Sequence, residues 1–273
     1  MKGLLLGVLD RGDDATAVWR RIAQHVGGRA ALSIQVRRFP DEDAQCEALL
    51  KGAVDVAWNT SVAHAHCRNA SGHGCRALVQ READAGLAQV VLGLRGGTVN
   101  DLADVAGKTL AVVEARQGPR ALLTFHLLAA LGLREESDFT PLWLAPGASP
   151  SDDTEAADLE VLKAMLGGRA EAGLVDHRFW DVIVAGRRVP KGAFDVVWTT
   201  PSHSGFTLDA RPGLDREVAD ALSQAFCEAP TDDVDPGGGR ASVRWILSDE
   251  RGYDALCAAL EASPAPAFEG AVA

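Results

Sequence analysis

MKGLLLGVLD, residues 1–10, is the stretch on which the fold turns. Lys2 followed by an apolar run from Gly3 to Leu9 has two readings, the opening of a secretory signal or the first strand of an α/β domain. A signal needs an apolar stretch of about 7 to 15 residues and a small-residue cleavage site. Here the run closes on Asp10-Arg11-Gly12-Asp13-Asp14, and no cleavage site follows. A short apolar run closed by a Gly/Asp turn is the pattern of a buried parallel strand. The strand reading points to a cytoplasmic protein, or to a periplasmic or lipid-anchored one if a leader preceded the chain.

Outward from this strand, the periodicity alternates. A helix is expected from about Ala15 to Val26, a strand over Ala31 to Arg38, a helix over Glu42 to Lys51 and a strand over Val54 to Trp58. That order, β-α-β-α-β, is the signature of an open parallel sheet. Leu87 to Leu94 reads as a long strand, with a turn and short helix over Asn100 to Lys108. A second set follows: strand Thr109 to Val113, helix Arg120 to Leu131, strand Phe139 to Leu144, helix Thr154 to Gly167, strand Glu171 to Asp176, helix Phe179 to Ala185 and strand Phe194 to Thr199. A return strand is expected at Phe206 to Leu208, then helices over Leu214 to Cys227, Ser242 to Ser248 and Tyr253 to Ala262. Pro146 to Thr154 reads as a loop. The pattern predicts a two-lobed α/β protein with mixed, mainly parallel sheets, lobe 1 from residues 1–92 and 203–273 and lobe 2 from residues 93–202.

Composition narrows the function. Of 273 residues, 47% are hydrophobic, enough for a substantial core. The formal charge of −11 disfavours nucleic acid, whose backbone is itself anionic. No apolar run approaches the ~18 residues that span a bilayer, so membrane insertion is not expected. Five cysteines, Cys46, Cys67, Cys75, Cys227 and Cys257, show no CxxC pair. They indicate neither a disulfide framework nor a zinc ribbon, and they suit a reducing compartment. No nucleophile, phosphate-loop or metalloprotease motif is present, and no cofactor is expected.

Four phrases carry a resemblance. They are Phe39-Pro40 with Ala48 to Trp58; Asp101-Leu102 to Gly107-Lys108-Thr109-Leu110-Ala111; Gly167 to Asp176; and Trp198-Thr199-Thr200-Pro201. In this order and spacing the sequence resembles the phosphate/phosphonate-type ABC transporter solute-binding proteins over roughly Gly3 to Ala262. The resemblance implies a type 2 periplasmic-binding-protein fold, two lobes closing on a small ligand at a hinge. In the phosphonate binders a Ser-Thr-Ser-Gly type run opens the helix after the Thr109 to Val113 strand. Here the matching stretch is Glu114-Ala115-Arg116-Gln117-Gly118-Pro119-Arg120, without hydroxyls. That helix start and its Arg116, Gln117 and Arg120 remain an anion site on chemical grounds. The plainer alternative is that the arginines only cover a charged helix end.

In open α/β sheets ligands sit outside the carboxyl ends of strands. That selects Asp10 and Arg11, then Trp58, Asn59 and Thr60, then Asp176 and His177, and finally Thr199, Thr200, Ser202 and His203. Trp58 is either a stacking wall or a core anchor, and Asn59 either a ligand contact or a helix cap. His64-Ala65-His66-Cys67 with His73 and Cys75 is the densest cluster of metal-capable side chains. His64 and His66 diverge on a helix, so one pocket-facing histidine, His64, is favoured over a metal site. Two functions stay open. One is capture of a small anionic or zwitterionic metabolite, the closed form being recognised by a transporter permease or sensor. The other is a leaderless cytosolic biosynthetic enzyme on the same fold, acting on a small carboxylate or phosphate-bearing metabolite.

Overall fold

The computed structural model describes residues 2–113, 118–145, 154–190, 192–229 and 243–262. The chain divides into two compact units, Met1–Gly86 with His203–Ala273, and Leu87–Ser202.

Unit 1 starts with β1 (Lys2–Leu9), α1 (Asp13–Ala30), β2 (Leu32–Phe39), α2 (Glu42–Leu50), β3 (Val56–Asn59), α3 (Ser61–Ala70) and β4 (Arg76–Arg81). It is completed by β10 (Thr207–Ala210), α7 (Arg216–Cys227), β11 (Trp245–Leu247) and α8 (Asp254–Ala262). The sheet order is β11-β4-β10-β3-β1-β2. β1 pairs in parallel with β2 and β3, and Leu4, Leu6 and Val8 are buried. α1 lays Trp19, Ala23 and Val26 on this core, and α7 adds Val218, Leu222 and Phe226 from the same face. Each large apolar side chain so buried contributes about 1.5 to 3 kcal/mol.

Unit 2 holds β5 (Gln89–Leu94), β6 (Thr109–Val113), α4 (Pro119–Ala130), β7 (Thr140–Leu144), α5 (Thr154–Leu166), β8 (Ala172–Asp176), α6 (His177–Ala185) and β9 (Phe194–Thr199), in sheet order β7-β6-β8-β5-β9. Helices cover both faces. Val161, Leu162 and Met165 of α5 pack with Val90, Leu92 and Val175, while Ala121 and Leu128 of α4 pack with Val91, Leu110 and Leu174. α5 approaches β8 closely because residue 173 is glycine. A Cβ there would lie 2.5 Å from both Met165 Sδ and Val161 Cγ1.

The sheets are mixed and mainly parallel: β10 and β11 run against the other four strands of their sheet, and β5 against the other four of its own. The structure departs from the sequence expectations at four points. The expected lobe boundary at 92/93 would cut β5, whose pairing with β8 and β9 puts it whole in unit 2. The segment expected as a helix over Ser242 to Ser248 contains strand β11, paired to β4, because Trp245 packs on Trp19, Trp58 and Phe226. The return strand is Thr207–Ala210 rather than Phe206 to Leu208, and β4 was not anticipated. Of the expected loop Pro146 to Thr154, residues 146–153 lie outside the described residues.

Candidate functional site

The strand ends of unit 1 carry an exposed and a buried layer. Asp10 and Arg11 are exposed beyond β1, and Arg38 pairs with Asp10 at 3.5 Å and Asp13 at 3.0 Å. Thr60 caps α3, its Oγ1 accepting from the Ala63 N–H at 3.2 Å. Thr60 also hydrogen-bonds Glu42 at the start of α2. Burial raises the Glu42 carboxyl above its ordinary range, against the pull of Thr60 and of Arg11.

Beneath lies a continuous buried relay. Gln45 Nε2 donates to the Trp58 carbonyl at 2.8 Å and to Asn59 Oδ1 at 2.7 Å. Asn59 Nδ2 donates to Asp209 Oδ2 at 2.7 Å, and His64 Nδ1 lies 2.8 Å from Asp209 Oδ1. His64 Nε2 faces Glu250 Oε2 at 3.6 Å, and Glu250 faces Arg68 at 3.5 Å. Burial disfavours the charged imidazole, but Asp209 and Glu250 outweigh it and lift His64 to about 9. Burial pushes the Asp209 carboxyl up against the opposing pull of His64 and Asn59. His64 and Asp209 thus form one buried hydrogen-bonded pair through Nδ1 and Oδ1. His64 and Asp209 are both 0% exposed, so His64 is an internal partner of Asp209 rather than a pocket-facing group.

Trp58 has the surroundings of a core anchor. Phe206 stacks on it at 5.6 Å, Trp19 and Trp245 lie 5.5 and 5.3 Å away, and the Arg81 guanidinium sits 5.6 Å from its ring centroid. Of the remaining members of the His/Cys cluster, Cys67 and Cys75 are buried, His66 is half-buried and His73 is exposed. His203 is buried.

In unit 2, Arg116 and Gln117 lie outside the described residues. α4 starts at Pro119 after Gly118, and no side chain among the described residues caps it. Arg120 pairs with Asp158 of α5, whose carboxyl is wholly buried. Burial raises the Asp158 carboxyl, and Arg120 is the strongest opposing influence. Asp158 Oδ2 also accepts from the Asp176 N–H at 3.0 Å, which ties α4, α5 and the end of β8 together. Asp176 caps α6, accepting from Arg178 and Phe179 N–H groups at 2.8 and 3.2 Å. That cap starts α6 at His177, two residues before the expected Phe179. His177 pairs with Asp181 at 3.2 Å one turn on. Thr200 is held to Gln89 twice, at 3.0 Å through its hydroxyl and 2.9 Å through its N–H, whereas Thr199 and Ser202 are exposed.

Sequence reasoning missed Gln45, Asp158, Asp209 and Glu250. Two of them carried a signal. Asp158 shares a helix face with Val161, Leu162 and Met165, and Asp209 interrupts the otherwise apolar end of a strand.

Residues 10–245 match the family model for the periplasmic substrate-binding protein of phosphonate ABC transporters. The chain belongs to that family. No curated protein sequence matches it. Among solved structures, a Xanthomonas citri protein, XAC2383 bound to ATP, is similar over 96% of this chain and 98% of its own, at 18% identity and TM-score 0.64. PhnD1 from Prochlorococcus marinus in complex with methylphosphonate covers 95% and 97%, at 12% identity and TM-score 0.56. A binding component of a phosphonate ABC transporter from Pseudomonas aeruginosa covers 92% and 83%, at 12% identity and TM-score 0.50.

These likenesses give the phosphonate-type family member a type 2 periplasmic-binding-protein fold. Membership implies a small-molecule ligand and a transporter permease as partner. The family is a periplasmic one, so the expected cytoplasmic location has no support. No helix among the described residues is long and apolar enough to cross a membrane.

Proposed function

We propose that the protein is the solute-binding component of an ABC importer, holding the anionic group of a small anionic or zwitterionic metabolite at the start of α4. The observation that carries this reading is the Arg120 guanidinium in the first turn of that helix, held by Asp158. Thr60 and Asp176 cap α3 and α6 with their side chains, whereas Gly118 offers α4 none. A helix N-terminus carries roughly half a positive charge and N–H groups directed at an incoming anion. Arg120 stands in the first turn, fixed through one nitrogen by Asp158. A guanidinium has five N–H donors, so the others can meet a carboxylate or phosphate. Arg116 and Gln117 complete the proposed anion site. The stretch from Glu114 to Arg120 has no hydroxyl, so the guanidinium forks set the ligand's anionic group.

The metabolite released from purified protein by denaturation, identified by mass spectrometry, is the ligand to titrate back by calorimetry. Arg116→Ala should weaken its binding by about 2 to 5 kcal/mol, the range for truncating one side of a desolvated charge pair. Arg120→Ala should do the same, with a further loss of stability through Asp158. Wild-type affinity in both variants overturns the α4 site. For location we propose the periplasm, and recovery of the chain in the cytosolic fraction of its native host overturns that.

The enzyme alternative finds no support in the geometry. It leaned on His64, His177 and His203 bordering one cleft; His64 and His177 are paired with Asp209 and Asp181, and His203 is buried.

A further inference from the structure

Three buried free cysteines, Cys46, Cys67 and Cys75, gather in one packed cluster with Phe39, Leu49, Val54 and Ala63. The Cys67 thiol faces both of the others within this cluster. Ser71 holds the backbones of two of them. Its N–H donates to the Cys67 carbonyl at 3.0 Å, and its hydroxyl oxygen accepts from the Cys75 N–H at 2.9 Å. Between them the chain reverses through Gly72 and His73, both at positive φ (57° and 66°), and Gly74 bonds back to the Ser71 carbonyl at 3.2 Å. Cys46, by contrast, sits on α2, a separate element, and its thiol donates to the Ala63 carbonyl at 3.7 Å.

We propose that Cys67 and Cys75 are a disulfide site, closed during folding by exchange with an external disulfide, which pins the end of α3 to the start of β4. Cys75 is the attacking thiol. Its thiolate attacks one sulfur of a donor such as glutathione disulfide, and one glutathione thiolate leaves. The Cys67 thiolate then attacks the Cys75 sulfur of the mixed disulfide and releases the second. Two thiol protons and two electrons pass to the donor, whose S–S bond is replaced by the new one. Both thiols are accessible before the core closes, so exchange belongs to the folding chain. In the cell the reaction rests on the periplasmic reading above, because an oxidising compartment supplies the donor. In the purified protein it does not.

The test uses the full chain carrying Cys227→Ser, which removes the exposed thiol and leaves four of the five cysteines. The reduced, unfolded protein is refolded in a glutathione/glutathione disulfide buffer, then alkylated in denaturant. Two of the four thiols should be protected, the peptide map should join Cys67 to Cys75, and dithiothreitol should restore both thiols and lower Tm. Adding Cys46→Ala should leave the cross-link intact, and adding Cys75→Ser should abolish it. Full alkylation after refolding, or a cross-link through Cys46 or Cys257, overturns the proposal. Thiol trapping in the native host separates the two readings. Free thiols there, with a cross-link in the refolded protein, reject the periplasmic location and leave the disulfide site standing.

Discussion

Replacing His64 by Gln should destabilise the protein by about 3 kcal/mol at pH 7. His64 is lifted from 6.5 to about 9 in the folded state by Asp209 and Glu250. At 1.36 kcal/mol per pKa unit, that difference is worth about 3 kcal/mol. Since the folded pKa is the higher one, the contribution is complete below pH 6.5 and disappears as pH rises toward 9. The groups facing the imidazole are Asp209 on β10, Glu250 and Tyr253 in the 3-10 turn Glu250–Tyr253 before α8, and Arg68 behind Glu250 on its own helix. Loss of His64 leaves Asp209 a wholly buried carboxylate with Asn59 as its remaining donor. Breaking a buried pair in this way costs about 3 to 5 kcal/mol, which agrees with the linkage figure. The measurement is urea unfolding of wild type, His64→Gln, Asp209→Asn and the double variant at several pH values, followed by tryptophan fluorescence. Wild type should lose stability from pH 6.5 to 9, the double variant should recover part of the single losses, and its pH dependence should be flat. A wild-type midpoint in both single variants, or a wild-type profile without slope across that window, refutes the buried charged pair.

Trp58→Ala should cost about 3 to 5 kcal/mol in urea unfolding, because it opens a cavity among Trp19, Phe206 and Trp245. A loss below 1 kcal/mol would restore the stacking-wall reading. Gly173→Ala should destabilise unit 2 by about 1 to 3 kcal/mol through overpacking against Val161 and Met165. Unchanged amide exchange in β8 of that variant would contradict the close approach of α5.

The parts of the fold legible in the sequence are those where local pattern and tertiary environment agree. β1, β6 and β8 are continuous apolar runs covered on both faces, so length and composition alone identify them. β4 and β11 were missed because their strand character comes from partners far along the chain. Arg76-Ala77-Leu78-Val79-Gln80-Arg81 has no alternation to read, and Trp245 is extended because an aromatic cluster receives it. The same distance limits the site. Asn59, His64 and Arg120 are visible as chemically capable side chains. Their partners Asp209 and Asp158 lie on other elements, and only folding turns the first two inward. Asp176 was found by the strand-end rule, but its role is the cap that the adjoining helix needs.

The position of β10 dictates the order in which a ribosome can complete this protein. The strand enters between β3 and β4, and it emerges only after the whole of residues 87–202 has been made. Until then the nascent sheet is split, the inner edges of β3 and β4 lack their neighbour, and Asn59 and His64 wait for Asp209. Residues 87–202 have every strand of their own sheet on one continuous segment and can close first. Synthesis therefore delivers the inserted half as a finished body while the first half is still open-edged. That interval is when a chaperone has most to protect.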